Sequence, residues 1–245
     1  MRMFGLIGYP LIHSFSKNYF SRKFLSEYIT DAVYENFEIK EIALLKKIIA
    51  ENPSLRGLNV TIPYKEAVIP FLDELDADTK KIGAVNTIKV LSGRLKGFNT
   101  DYVGFLRSLI PLLQPHHKKA LILGTGGSSK AVKYALEKIG IDYTFVSRNP
   151  SGKNEIPYAG ITKKIMYDHT VIVNTTPVGM FPEISKSPAI SYQWLTSRHL
   201  LYDLIYNPEE TLFLKKGKQK GAVIKNGCEM LELQAEEAWK LWSEF

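Results

Sequence analysis

Residues 120–132 read ALILGTGGSSKAV, and this run constrains the fold more than any other part of the chain. Four apolar residues predict a buried strand, Gly124 predicts a tight turn, and a helical pattern follows as far as Gly140, after which a second apolar run begins. At such a turn Gly126 lets the backbone approach a pyrophosphate held at the helix N-terminus. The run therefore predicts a strand–helix–strand unit that binds a dinucleotide.

Two further positions refine the predicted ligand. The third glycine of the dinucleotide pattern is replaced by Ser129, which is small enough for close packing of helix on strand. After the second strand come Ser147, Arg148 and Asn149 instead of an acidic residue. A guanidinium binds a ribose 2′-phosphate through paired hydrogen bonds, so the sequence favours NADP over NAD; an ordinary exposed loop arginine is the alternative.

Short apolar runs alternate with helical patterns along the chain, which is typical of α/β proteins. Strands are predicted at Phe4–Ile7, Val33–Phe37, Gly57–Thr61, Ala84–Lys89, Ala120–Leu123, Tyr143–Val146, Val171–Asn174 and Leu200–Asp203. Helices are predicted near Lys17–Tyr28, Ile42–Glu51, Tyr64–Leu72, Tyr102–Ile110, Ser128–Ile139 and Cys228–Trp242. The segment 109–120 carries two prolines and the pair His116–His117; it reads as a surface linker rather than a metal site, so we expect two domains and no metal.

Composition excludes few function classes by itself. With one cysteine, Cys228, no internal disulfide can form, and the start of the chain lacks a signal peptide, so we expect a cytoplasmic protein without a membrane span. The formal charge of +7 suits nucleic acid or small anions equally, but the lysines are scattered. We therefore expect a small-molecule substrate rather than nucleic acid or membrane, and a monomer or homodimer.

The run NVTIPYK at 59–65 ends a predicted strand with polar residues on one face, since Asn59 and Thr61 point the same way. Pro63 suits the first position of a helix, which places Lys65 in the first turn, where the helix dipole disfavours a cation. A solvated loop lysine is the ordinary alternative. The placement raises the question of which partners would favour a lysine there.

Other polar residues have both a structural and a functional interpretation. Gln234 shares a helical stripe with Met230, Ala238 and Trp242, so it either lies at the rim of that stripe or presents a buried amide to a ligand. Asp101 precedes an apolar periodic stretch, for which helix capping is a complete explanation. Ser14 and Ser16 follow the first strand, where hydroxyls also serve as local caps.

Taken together, the chain resembles the shikimate dehydrogenase family, in chain order through nearly its whole length. The resemblance is carried by GYPLIHSFS (8–16), NVTIPYKEAV (59–68), GAVNT (83–87), GFNTD (97–101), LGTGGSS (123–129), SRN (147–149), NTTPVGM (174–180), YDLIYNP (202–208) and NGCEMLELQA (226–235). It implies an α/β protein with an N-terminal open α/β substrate domain (1–101), to which a C-terminal helix (226–245) returns, and a Rossmann-type NADP domain (102–225).

The resemblance also implies site residues and a reaction, the reversible reduction of 3-dehydroshikimate by NADPH. Lys65 and Asp101 would lie at the reacting centre. Substrate would be held by Ser14, Ser16, Asn59, Thr61, Asn86, Tyr206 and Gln234. The cofactor would be held by Gly124, Thr125, Gly126, Gly127, Ser128, Ser147, Arg148, Asn149, Leu204 and Gly227. Two alternatives stay open: a quinate/shikimate dehydrogenase that uses NAD, and a dinucleotide-binding sensor without turnover.

Overall fold

The computed structural model describes residues 1–11 and 15–244, and it divides the chain into two compact units. The first unit comprises Met1–Thr100 and Gln234–Phe245, and the second comprises Asp101–Leu233. The division therefore falls inside the C-terminal helix, whereas all of residues 226–245 were predicted to belong with the first domain. The predicted substrate residue Ser14 lies outside the described residues.

The first unit is built on a mixed sheet. Its strands are β1 (Arg2–Gly8), β2 (Ala32–Glu38), β3 (Leu55–Val60), β4 (Glu74–Leu75), β5 (Thr87–Leu91) and β6 (Arg94–Phe98), in the order β2-β1-β3-β5-β6-β4. Its helices are α1 (Phe15–Ser26), α2 (Leu45–Glu51), α3 (Tyr64–Ala67) and α4 (Ala77–Ile82). Strand β5 is antiparallel to both β3 and β6, so the end of β3, the start of β5 and the end of β6 meet at one edge of the sheet.

The two faces of this sheet bury different cores because successive side chains on a strand point to opposite faces. On β1, Ile7 packs with the aliphatic cluster that includes Leu45, Leu58 and Val68. The neighbouring Phe4 and Leu6 pack into a second cluster rich in aromatic rings, which contains Phe20, Phe24, Tyr34, Trp239 and Trp242. The aromatic cluster therefore fixes α1 and the C-terminal helix on one face of the sheet.

Two predicted elements of the first unit end or begin elsewhere. The helix predicted over Tyr64–Leu72 stops at Ala67 and is followed by a separate 3₁₀ turn, Ile69–Phe71, because Pro70 can neither donate to the preceding turn nor fit inside a helix. The strand predicted at Ala84–Lys89 is β5, which begins only at Thr87. The residues just before β5 are held by a hydrogen bond that is not part of the sheet pairing: the Val85 amide donates to the Lys65 carbonyl at 2.7 Å.

The second unit is a parallel α/β unit. Its strands are β7 (Lys119–Leu123), β8 (Asp142–Ser147), β9 (Glu155–Pro157), β10 (Val171–Asn174), β11 (Leu200–Asp203) and β12 (Val223–Lys225). Its helices are α5 (Asp101–Leu109), α6 (Gly127–Lys138), α7 (Lys163–Asp168), α8 (Leu212–Lys218) and the first part of α9 (Cys228–Ser243). Apolar clusters cover both faces of its sheet, as a parallel sheet requires.

The strand order β12-β11-β10-β7-β8-β9 reverses direction between β7 and β10. This is the order of a Rossmann sheet, in which ligands bind beyond the carboxyl ends of the strands at the reversal. The predicted fold class, α/β with an N-terminal α/β unit and a Rossmann-type unit, is confirmed. Within the ranges that the structure describes, every helix is too short or too polar to cross a bilayer.

Candidate active site

Polar side chains collect at the edge of the first unit's sheet where β3, β5 and β6 meet. Asn59 lies near the end of β3, Thr87 begins β5 directly after Asn86, and Thr100 follows β6. These four residues are buried, although asparagine and threonine are usually exposed. Buried amides and hydroxyls require hydrogen-bond partners, and the structure supplies these partners mostly from within the same group.

Asn86 lies at the centre of this network. Its Oδ1 accepts from the Thr100 backbone amide at 2.6 Å and from the Thr87 hydroxyl at 3.1 Å. Its Nδ2 donates to Thr100 Oγ1 at 2.9 Å and to Gln234 Oε1 at 3.3 Å. Both ends of the amide are therefore engaged, which fixes its orientation.

Gln234 joins the network from α9. Its side chain is buried, so the rim interpretation of this glutamine is wrong. Gln234 Oε1 also accepts from the Thr100 hydroxyl at 3.3 Å. The amide oxygen therefore faces the polar edge of the sheet, which fixes the orientation of the whole amide.

Asn59 is held by Tyr34 on β2, which is not among the residues predicted from the sequence. The Tyr34 hydroxyl donates to Asn59 Oδ1 at 2.7 Å, while Asn59 Nδ2 donates to the Asn86 carbonyl at 3.3 Å and to Thr87 Oγ1 at 3.2 Å. Burial raises the pKa of Tyr34, an effect opposed by a hydrogen bond from Ser16. Tyr34 is therefore a neutral phenol that bonds two predicted substrate residues.

The other predicted residues of the first unit lie along the segment that follows β3. Thr61 is half-buried, and its carbonyl accepts from the Tyr64 amide at 2.9 Å at the start of α3. Lys65 is half-buried in the first turn of α3, as predicted. The Lys65 carbonyl accepts a hydrogen bond from the Val85 amide, which connects α3 to the segment that carries Asn86.

Asp101 belongs to the second unit by the division above. It is buried and is the first residue of α5. The residue before it, Thr100, is part of the polar network of the first unit. The peptide bond between Thr100 and Asp101 therefore joins the two units along the chain.

In the second unit, a glycine turn follows β7 beside the strand-order reversal. Gly124 has φ +104°, a conformation that favours glycine, and a Cβ there would lie 2.9 Å from Thr175 Oγ1 and from Thr176 Cγ2. Gly126 precedes α6, and apart from its own neighbours in the chain no described residue has an atom within 4 Å of the position that its Cβ would occupy. Thr125 is exposed, and Gly127 and Ser128 form the half-buried first turn of α6. This open turn at a helix N-terminus fits a pyrophosphate.

Ser129 replaces the third glycine without loss of packing. It is buried, and its hydroxyl donates to the Gly126 carbonyl at 2.7 Å. At the end of β8, Ser147 Oγ accepts from the Asn149 amide at 3.1 Å, and Arg148 is exposed. An exposed guanidinium directly after the second strand fits a 2′-phosphate.

The carboxyl ends of β10 and β11 carry a buried carboxylate, Asp203, that was not predicted from the sequence. Asp203 Oδ1 accepts from Asn174 Nδ2 at 3.0 Å and from the Ile205 amide at 3.1 Å, and Oδ2 accepts from the Thr211 hydroxyl at 2.6 Å. Burial raises the pKa of Asp203 to about 6, with these three bonds acting in the opposite direction. Asp203 therefore fixes the segments that follow two adjacent strands at the ligand-binding edge.

Three predicted site residues lie just beyond Asp203 or at the start of α9. The Leu204 amide donates to the Asn174 carbonyl at 3.0 Å. Gly227 lies so close to the backbone of Leu204 that a Cβ at position 227 would lie 2.1 Å from the Leu204 carbonyl oxygen. Tyr206 is half-buried, and burial raises its pKa. Glycine at position 227 is thus required by a close backbone approach.

The Rossmann strand order and its open glycine turn define a dinucleotide-binding protein of the two-unit α/β class. Comparison with known proteins gives the family. A family model described as the shikimate dehydrogenase substrate binding domain matches residues 6–88. The chain is 41% identical to the shikimate dehydrogenase (NADP(+)) of Halothermothrix orenii over 98% of this chain and 90% of that protein. The chain belongs to the shikimate dehydrogenase family of NADP-dependent oxidoreductases.

Solved structures of the same family match the fold of this chain over nearly its whole length. The crystal structure of shikimate dehydrogenase from Aquifex aeolicus has a TM-score of 0.88 and 36% identity, and the match covers 99% of this chain and 92% of that one. Shikimate 5-dehydrogenase from Thermus thermophilus, in complex with NADP(H) and shikimate, has a TM-score of 0.88 and 32% identity, with coverage of 99% of this chain and 94% of that one.

Proposed function

We propose that this chain catalyses the reversible reduction of the 3-keto group of 3-dehydroshikimate by NADPH, a step of aromatic amino acid biosynthesis. The observation that carries the proposal is the buried network of amides and hydroxyls at one edge of the first unit's sheet. A polyhydroxylated ligand needs fixed donors and acceptors, because an unpaired buried polar group is costly. Family membership supports the choice of substrate.

The proposal assigns substrate binding to the first unit and NADP binding to the second, with Tyr206 as the substrate residue of the second unit. Asn59, Asn86 and Gln234 provide amides whose orientations are already set by protein partners. Preset polar groups lose little conformational freedom when a ligand binds. Thr61 and Ser16 add hydroxyls, and the predicted Ser14 remains part of the proposal.

The proposal assigns the chemistry to Lys65 and Asp101. When bound, NADPH would supply a hydride to the carbonyl carbon, and negative charge would develop on the carbonyl oxygen. Lys65 would donate a proton to that oxygen or stabilise its charge, and Asp101 would be the second catalytic residue, acting in proton exchange. The half-buried position of Lys65 reduces solvent screening of its charge.

The residues of the second unit fit NADP. The N-terminus of α6 and the open Gly126 position would hold the pyrophosphate, and the exposed Arg148 would hold the 2′-phosphate. Leu204 and Gly227 would contact the nicotinamide end of the cofactor. Asp203 would act only through the segments that it fixes.

One assay tests the function: the loss of NADPH absorbance when the protein is mixed with 3-dehydroshikimate. Comparison of kcat/KM for NADPH with NADH, and for shikimate with quinate, separates the proposal from its rivals. A preference for NADH and quinate would replace it with a quinate dehydrogenase. Tight NADP binding without turnover of either substrate would indicate a sensor.

The role of Lys65 is tested by Lys65→Ala with Lys47→Ala as a matched control. Lys47 is an exposed helical lysine whose pair with Glu51, at 3.7 Å, contributes little. Loss of a general acid lowers kcat by about 10²–10⁴. We expect that loss for Lys65→Ala, with NADP binding retained and with wild-type kcat for Lys47→Ala. Normal turnover of Lys65→Ala would contradict the assignment.

A further inference from the structure

Tyr34 on β2 reaches two predicted substrate residues. Its hydroxyl donates its single proton to Asn59 Oδ1, so the hydrogen bond with Ser16 must run from the serine hydroxyl to the tyrosine oxygen. The three side chains form a directed chain, Ser16 to Tyr34 to Asn59. Its direction sets where the Ser16 hydroxyl proton points and the orientation of the Asn59 amide.

The Tyr34 ring is itself immobilised. Phe20 stacks on it with centroids 4.6 Å apart and an interplanar angle of 15°, and Trp242 lies at 6.5 Å. Phe20 lies one helical turn after Ser16 on α1, so the same face of the helix supplies both the ring that stacks on Tyr34 and the hydroxyl that bonds to it. A hydroxyl on a ring packed in this way has little freedom to move.

We propose that Tyr34 is a positioning residue for the substrate: its hydroxyl fixes Ser16 and Asn59 so that both present preset hydrogen-bonding atoms to a polyhydroxylated carboxylic acid. This inference rests on the proposed function. Without the tyrosine hydroxyl, Ser16 can turn its proton elsewhere and Asn59 Oδ1 loses its 2.7 Å donor. The ligand would then have to order both groups on binding, which weakens affinity.

The test is Tyr34→Phe, which removes only the hydroxyl. Tyr192→Phe is the matched control, because the Tyr192 hydroxyl also has a hydrogen bond with a serine, Ser187, and donates to a carbonyl oxygen, that of Pro188 at 2.9 Å. Tyr192 belongs to the second unit and is not among the proposed site residues. Both variants lose comparable hydrogen bonds, so only a positioning role separates them.

For Tyr34→Phe we expect the KM and the calorimetric Kd for shikimate to rise about tenfold, with kcat changed less than about threefold and the KM for NADP+ unchanged. Tyr192→Phe should retain the wild-type KM for shikimate. In a Ser16→Ala background, Tyr34→Phe should have a smaller effect on KM, because part of its action runs through Ser16. A shikimate KM for Tyr34→Phe within about twofold of wild type, or an equal rise in Tyr192→Phe, would overturn the inference.

If Tyr34→Phe yields too little folded protein, Phe20→Leu keeps the hydroxyl and removes the stacked ring. The same selective rise in shikimate KM is expected, and an unchanged KM in this variant would also overturn the inference. If the wild-type protein turns over 3-dehydroshikimate and both variants have its KM for shikimate, only the role of Tyr34 is refuted. A wild-type protein that neither binds nor turns over substrate refutes the proposed function and this inference together.

Discussion

Gly57 on β3 lies directly beneath the indole of Trp242, and this contact gives a prediction whose size follows from the structure. A Cβ at position 57 would lie 2.2 Å from Trp242 Nε1, 2.4 Å from Cε2 and 2.5 Å from Cδ1. Ordinary carbon contacts begin at 3.4 Å, so in Gly57→Ala the indole must retreat by about 1 Å. The ring is buried, and the strand beneath it is paired on both sides.

That shift breaks specific contacts. Trp242 Nε1 donates to the Ile88 carbonyl at 3.0 Å, and its ring stacks on Phe4 with centroids 5.0 Å apart. Loss of a buried hydrogen bond costs about 1–3 kcal/mol, and overpacking costs about 1–3 kcal/mol more. We expect Gly57→Ala to lower the free energy of unfolding by about 2–6 kcal/mol, a large share of the ~5–15 kcal/mol typical of a folded protein.

The assay is urea unfolding followed by tryptophan fluorescence, combined with a double-mutant cycle. Trp242→Leu removes the indole that the new methyl group would meet, so in that background Gly57→Ala should cost less than about 1 kcal/mol. Because Trp242 and Gln234 lie about two turns apart on α9, Gly57→Ala should also raise the KM for shikimate. An unchanged unfolding free energy, or an equal cost in both backgrounds, would refute this reasoning.

Two further predictions concern the second unit. Gly227→Ala would place a Cβ 2.1 Å from the Leu204 carbonyl oxygen and 2.6 Å from the carbonyl carbon. Because the backbone there cannot move easily, we expect the affinity for NADP+ to fall by about tenfold or more in a fluorescence titration. An affinity equal to that of the wild type would contradict this close approach. For Asp203, burial raises the folded-state pKa from 3.8 to about 6. Between these two pH values the folded protein holds a proton that the unfolded chain has released. The free energy of unfolding of the wild type, measured relative to that of Asp203→Asn, should therefore fall by about 1.4 kcal/mol per pH unit as the pH rises from about 4 to 6. A difference between the two proteins that does not change with pH would contradict this sign.

Most of the longer elements were predictable from sequence, but several short ones were not. The unpredicted helices α4, α7 and α8 each begin after a capping side chain, Asp76, Thr162 or Thr211, that accepts from the backbone amide three residues later. These cap signals are present in the sequence. Each helix is only six or seven residues long, and helices of that length depend on tertiary packing rather than on local propensity. The unpredicted strand β4 has two residues, β9 and β12 have three each, and β6 has five.

Within the site, local motifs indicated residues but not their partners. The strings GAVNT and GFNTD pointed to Asn86 and Asp101, yet the neighbouring Thr87 and Thr100 complete the polar network. The string YDLIYNP included Asp203 without any local sign that it would be buried and bonded to Asn174 and Thr211. Tyr34 carried no signal at all, since it reads as one more aromatic residue on an alternating strand.

The sequence by itself determined the order of the longer strands and helices, the glycine turn before α6 and the family, because each of these depends on short runs of neighbouring residues. Only the tertiary structure decided which polar groups bond to one another. Tyr34 and Asn59 are 25 residues apart, and Asn86 and Gln234 are 148 apart. Tyr34 and Asn59 meet because β2 and β3 both pair with β1. Asn86 and Gln234 meet because antiparallel β5 and the helix α9 bring them to the same edge of the sheet, and a pattern confined to neighbouring residues does not encode that convergence.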